Sequence, residues 1–186
     1  DFTDGDYISF AITYTYTGAG QMFWLRANSG SYTDTGITLA TTDGQTIQQW
    51  NDNTTSAFNM TQLVVANKPI YRKNYLNFNP GVQFTNLTHF LSRTTGISWT
   101  TNPVFTMYFV GSSQKAVGST GTILGFRNTT GAGYPMLTTS LNSFSAYVEA
   151  APPVTSRYTR TITNPNSGIL SMSRSGTGVY VTTYNG

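Results

Sequence analysis

Apolar and β-branched residues alternate with polar ones along most of this chain, the period-two pattern of strands that bury one face. The pattern predicts strands over Tyr7–Tyr16, Met22–Ala27, Thr46–Trp50, the neighbourhood of Gln83–Phe84, Phe105–Gly111, Thr122–Phe126, Phe144–Tyr147, Tyr158–Thr163, Gly168–Arg174 and Val179–Tyr184. Between them lie Ser29–Ser31, Asn51–Ser56, Gly118–Gly121, Gly131–Gly133 and Asn164–Gly168. These clusters are turn material, because Gly and Asn tolerate positive φ and Asn caps its own backbone. No window carries the apolar stripe of an amphipathic helix. The one helix-sized candidate, Phe58–Ala66, is short, contains Val64 and Val65, and reads as loop or strand. Many short strands with frequent turns predict an all-β fold, an antiparallel β-sandwich or barrel rather than an α/β fold.

The first seventeen residues form one long alternating strand that ends at a Gly18–Ala19–Gly20 hinge, and the main pattern starts at Met22. Residues 1–17 therefore read either as the first strand of the sandwich or as the last strand of a preceding domain. Residues 18–186 read as the sandwich itself, a size that suits one core.

Composition narrows the class. Charged residues make up only 9% of the chain, against roughly 25% in ordinary soluble domains. Its surface must be wetted by Thr, Ser, Asn and Gly, a habit of secreted β-proteins and adhesins. The net charge is +3, but the basic residues are scattered and only Lys68, Arg72 and Lys73 cluster. No basic face interleaved with aromatics is present, so nucleic acid is not an expected partner. The absence of cysteine excludes disulfide frameworks, thiolate metal sites and cysteine nucleophiles. No apolar stretch approaches the ~20 residues that span a bilayer, so no membrane insertion is expected. Asp1 and Asp4 stand where a signal peptide would carry basic residues, so an export signal would lie upstream.

The chemistry-bearing residues are few. A retaining glycosidase needs two carboxylates about 5 Å apart, usually on alternate residues of one strand, which share a face. Glu149 is the only glutamate and has no acid within six residues, while Asp34, Asp43 and Asp52 fall in predicted loops. His89 is the only histidine; flanked by Leu87, Phe90 and Leu91, it reads as packed and hydrogen-bonded. No G-x-S-x-G elbow exposes a nucleophile. The chain is therefore expected not to be an enzyme. Asp52, between Asn51 and Asn53, pins its loop as an Asx turn or serves as one ligand of a Ca²⁺. A Ca²⁺ ion takes about six to eight oxygens, and one carboxylate supplies too few, so the turn reading is favoured. Asp4-Gly5-Asp6 is a calcium loop only superficially, since no Glu closes it. No metal and no other cofactor is expected. Asn53, Asn59, Asn86 and Asn128 open N-x-Thr acceptor sequences, which chance supplies readily in a chain this rich in Asn and Thr. Tyr32, Tyr71, Tyr75, Tyr134 and Tyr158 lie among turns, where a flat apolar ring with a polar tip suits stacking on sugars or docking on proteins. Of these, Tyr32, Tyr71 and Tyr134 are the ligand-binding candidates.

Four segments in order, GAGQMFWLRANSG, QTIQQWNDNTTSAFNMTQ, NKPIYRKNYLNFNPGVQFTN and NPVFTMYFVGSS, resemble the laminin-G-like, concanavalin A-like lectin domains of large secreted bacterial surface proteins. The resemblance covers about Gly18–Ser113, and the late GTGVYVTTYNG is similar to a further strand of that family. Trp24, Trp50, Asp52, Asn59, Pro69, Asn77, Phe78, Pro80 and Phe84 stand at the family's motif positions. Asn53-Thr54-Thr55 departs from the family, which has a Gly after a Ser there. The resemblance implies a concanavalin A-like jelly roll, incomplete at its C-terminus and continued beyond residue 186, since an open sheet would leave exposed edges. By itself Pro80 marks a bulge or an edge, because proline donates no ladder hydrogen bond. The resemblance also implies a secreted or cell-surface adhesion module that binds a surface glycan or a protein. Its alternatives are a passive spacer, cargo of a bacterial secretion machinery and, least favoured, a glycoside hydrolase-type jelly roll.

Overall fold

The computed structural model describes residues 10–14, 21–76, 78–85, 88–94, 105–111, 120–125, 134–140, 143–149, 155–161, 168–174 and 180–185. Over these residues the chain is all-β, built of antiparallel sheets with a single helical turn and one 3-10 turn. It divides into two compact units, Asp1–Ile12 with Gln21–Gly96, and Thr13–Gly20 with Ile97–Gly186. The main division thus falls after Gly96, and a strand β1 (Phe10–Tyr14) is shared between the units. The rest of the predicted strand Tyr7–Tyr16 lies outside the described residues.

The first unit begins with β2 (Gln21–Leu25). Phe23 and Leu25 are buried and Trp24 between them is half-buried, the alternation that the sequence carries. One helical turn, α1 (Ala27–Gly30), closes through Gly30 N donating to Arg26 O at 3.0 Å. Three two-residue strands follow, β3 (Ser31–Tyr32), β4 (Gln49–Trp50) and β5 (Met60–Thr61), in the order β3-β4-β5. β6 (Ile70–Leu76) and β7 (Asn79–Gln83) make a separate hairpin. Ile47, Ala40 and Tyr71 form a small core, with Val82 and Leu91 packed on it. Full burial of a side chain like Ile47 is worth about 1.5–3 kcal/mol.

Tyr71 belongs to that core, which corrects its reading as a surface candidate. It is 6% exposed, because Tyr71 and its ladder partner Val82 turn to the face that packs on Ile47 and Ala40. Burial, and secondarily the Asp43 carboxylate, push its phenol above the ordinary value of 10.0.

Pro80 and Gly81 sit in β7, which pairs only with β6. The ladder runs Ile70–Gln83, Tyr71–Val82 and Arg72–Gly81, then jumps to Leu76–Asn79. Lys73, Asn74 and Tyr75 thus stand against Pro80 alone, so the bulge lies opposite the proline rather than in its own strand. The Tyr75 ring lies on Gly81: a Cβ there would come within 2.8 Å of it. Phe78, at the hairpin tip, has φ +63° and is 88% exposed, and Phe84 is also exposed. Neither packs in a core; Phe78 is turned outward by the tight connection. Asn77 lies outside the described residues, whereas Pro69 is fully buried and accepts from Ile47 N.

In the second unit β8 (Phe105–Gly111) buries Phe105 and Met107 and exposes Tyr108. β13 (Gly168–Arg174) pairs with β8 on one side and β14 (Tyr180–Asn185) on the other. β9 (Thr120–Gly125), β10 (Tyr134–Ser140), β11 (Ser143–Glu149) and β12 (Thr155–Thr161) form a meander in the order β12-β11-β10-β9. Pro135 is tolerated inside that sheet because pairing with β9 begins only at Met136.

Candidate functional site

Around Trp50 and Asp52 the loop after β4 is tied to β2 and α1 by a dense polar network. Asp52 Oδ1 accepts from Trp24 N at 2.8 Å and Thr54 N at 3.0 Å. Its Oδ2 accepts from Thr54 Oγ1 at 2.7 Å and Phe58 N at 3.0 Å. The bond from Thr54 N is the expected Asx turn, and the other three extend it into a hub. Four donors occupy this buried carboxylate, so its oxygens are engaged by protein rather than turned toward a cation site. Asp52 N in turn donates to Asn59 Oδ1 at 3.1 Å. Trp50 is half-buried, and its indole donates to Arg26 O at 2.9 Å. Asn53 Nδ2 reaches Trp24 O and Asn51 O, while its Oδ1 accepts from Ser29 Oγ. Trp24 carries the Arg26 guanidinium over its ring at 5.0 Å. The motif residues Trp24, Trp50, Asp52 and Asn59 are thus joined in one architectural cluster.

Beside this cluster the small sheet turns one face outward. Residues paired across an antiparallel ladder share a face. Tyr32 pairs with Gln49 and bridges to Leu39; Gln49 pairs with Thr61, which bridges to Ser92. The row Leu39, Tyr32, Gln49, Thr61, Ser92 is partly or fully exposed throughout, whereas Ser31, Ala40 and Gln62, one residue along, are buried. Thr61 and Ser92 exchange both backbone hydrogen bonds, at 2.8 and 3.0 Å. Beyond that isolated bridge the ladder ends, and the nearby Leu63 and Phe90 are 71% and 47% exposed. The backbone there is held firmly: buried Gln62 donates to Phe90 O and accepts from Val64 N, and Phe90 N donates to Asn67 O. Among the described residues, none donates to or accepts from the side-chain hydroxyl of Thr61 or of Ser92.

The loop 33–38 forms one wall of this face. Asp34 Oδ1 accepts from Ile37 N at 2.8 Å and Thr38 N at 2.9 Å. Hydrogen bonds from the Thr38 side chain first, then from the Thr38 and Ile37 backbone, hold the Asp34 carboxyl down at about 2. Gly36 has φ +92°, and a Cβ there would lie 2.7 Å from Gln49 Nε2. The loop therefore rests on the Gln49 amide, itself fixed by donation to Asn51 Oδ1 at 2.6 Å.

Of the three tyrosine candidates, Tyr32 lies on this face, Tyr71 is in the core, and Tyr134 opens β10 opposite Glu149 in the other unit. Thr61 and Ser92 carried no sequence signal, since a two-residue strand and an isolated bridge are too short to display a period. His89 is half-buried, with Nδ1 accepting from Thr85 N at 3.3 Å, the packed role expected of it. Among the described residues no group of three or more His, Asp or Glu side chains is placed to hold a metal. Nor is any helix there long and apolar enough to cross a membrane. No protein family, curated protein or solved structure matches the chain.

Proposed function

We propose that this chain is a non-catalytic binding module of a bacterial cell-surface protein, folded as a concanavalin A-like jelly roll, and that it binds through the outer face of β3-β4-β5. The observation that carries this reading is the exposed row Leu39, Tyr32, Gln49, Thr61, Ser92 on a backbone held by buried side chains. A fixed surface with open hydrogen-bonding groups binds without a large ordering cost. The four-segment resemblance over Gly18–Ser113 and the low charge support an extracellular setting.

The non-catalytic part rests on the carboxylates and the histidine. The ladder neighbours of Glu149 are Tyr134 and Thr155, neither of which is an acid. Asp52 is engaged by four donors, and His89 lies with Thr85.

The test is an array of glycans and purified cell-surface proteins, probed with calcium and with chelator. Saturable binding that survives chelation and weakens about tenfold in Tyr32→Ala is expected, the loss of one stacked ring. Absence of binding to every ligand removes the proposal in favour of a spacer. Binding abolished by chelator removes its metal-free part.

A further inference from the structure

Resting on that reading, we infer that Gln49 is the specificity-determining group of the outer face. Its Oε1 is an oriented acceptor for an N–H or O–H donor of the ligand, and Asp34 is the residue that positions it through loop 33–38. Gln49 pairs with Tyr32 on one side and Thr61 on the other, so it stands at the middle of the exposed row. A glutamine side chain offers two N–H donors and one carbonyl acceptor. In the neighbouring glutamines that carbonyl is engaged inside the chain. Gln45 Oε1 accepts from Thr41 N and Thr42 N, and Gln48 Oε1 from Lys68 Nζ. Gln62 Oε1 accepts from Val64 N, and Gln83 Oε1 from Arg72 Nε. Gln49 differs. Its Nε2 donates to Asn51 Oδ1 at 2.6 Å, and among the described residues no donor reaches its Oε1.

Two contacts fix the direction of that oxygen. Asn51 holds the Nε2 end, and Gly36 lies against the same nitrogen so closely that a Cβ would come within 2.7 Å of it. Turning the amide over would set Oε1 against Asn51 Oδ1, two acceptors with no donor between them. The loop is kept in place by Asp34 Oδ1, which accepts from Ile37 N and Thr38 N, and by Thr33 N, which donates to Thr38 O at 2.9 Å. Gly36 carries φ +92°, a conformation that glycine holds without strain. Asp34 thus acts on Gln49 through Gly36. An acceptor held in advance costs little ordering on binding. A ligand with no donor at that place would leave the oxygen desolvated and unpaired, which selects against it.

The experiment is NMR of the whole isotope-labelled chain, reading the side-chain amide of Gln49. Its heteronuclear NOE should match that of the surrounding strands and fall to that of a freely rotating side chain in Asp34→Ala. Asp34→Asn, which keeps an acceptor for Ile37 N and Thr38 N, should restore it. Gly36→Ala should displace the Gln49 signals while the strand resonances stay in place. N-methylacetamide then serves as a donor probe, and N,N-dimethylacetamide as the same carbonyl without the N–H. The first should shift the Gln49 amide signals several-fold more than the second. For the glycan or protein that the array retains most tightly, Gln49→Met should weaken binding roughly three- to tenfold, the loss of one hydrogen bond. A Gln49 amide that is mobile in the wild type, or equally rigid in Asp34→Ala, overturns the inference. So do equal responses to the two probes, or unaltered binding in Gln49→Met. The two readings fail separately. An array without any binder removes the binding module, while donor-selective shifts at Gln49 keep the acceptor; a mobile Gln49 removes the acceptor, while array binding keeps the module.

Discussion

Asp52 and Ser31 show how differently two buried polar side chains of one unit are treated. Asp52 is 7% exposed and accepts four hydrogen bonds. Bonds to a charged acceptor contribute about 1.5–3 kcal/mol each, and unpaired buried donors cost about 1–3 kcal/mol. Asp52→Ala orphans the N–H groups of Trp24, Thr54 and Phe58 together, so a loss of about 3 kcal/mol or more is expected in urea unfolding. A shift below about 1 kcal/mol would mean the hub is not structural. Ser31 is fully buried with no partner for its hydroxyl. Ser31→Ala deletes that orphan while keeping the volume, and thermal unfolding should show stability unchanged or raised by about 1 kcal/mol.

Two loops carry predictions that belong to elements. Loop 33–38 is stapled by the Asp34 carboxylate, whose value is lowered from 3.8 to about 2 in the folded chain. A carboxyl depressed by folding contributes stability above its unfolded value and loses it as pH falls through the folded one. The amide resonances of Ile37 and Thr38 should hold through pH 4 and move as pH approaches about 2; in Asp34→Asn that acid step should vanish. The β6–β7 hairpin carries the opposite feature. Phe78 holds φ +63° while exposing nearly its whole side chain, and left-handed backbone costs a bulky residue roughly 1–2 kcal/mol. Asn tolerates that conformation, so Phe78→Asn should raise the midpoint of denaturation by an amount worth about 1 kcal/mol. A lower midpoint would show that the ring contributes contacts of its own.

At the scale of the whole molecule, low charge and exposed carbon act together. The chain carries +3 at neutral pH with a pI near 9.2, while Ile37, Leu63, Val65 and Phe78 each expose more than two thirds of their surface. Repulsion between copies falls as the pH nears the pI. Static light scattering should therefore rise as pH is taken from 7 toward about 9 and fall again on return. A flat profile would mean that charge does not limit association.

The alternation of apolar and polar residues by itself determined most strands of the second unit, and Phe105–Gly111 and Gly168–Arg174 were legible to the residue. Long strands display their period, as in β8, where Phe105 and Met107 are buried and Tyr108 is exposed. The all-β class and the Asx turn at Asp52 were legible for the same reason, since both are local. Tyr134–Ser140 was missed, because Pro135 interrupts a pattern that only the end of β9 makes permissible. Which tyrosine is buried, and that Thr61 and Ser92 share a face, were decided only by tertiary structure. Those residues lie on two segments about thirty residues apart, and their common face exists only once Thr61 and Ser92 exchange hydrogen bonds.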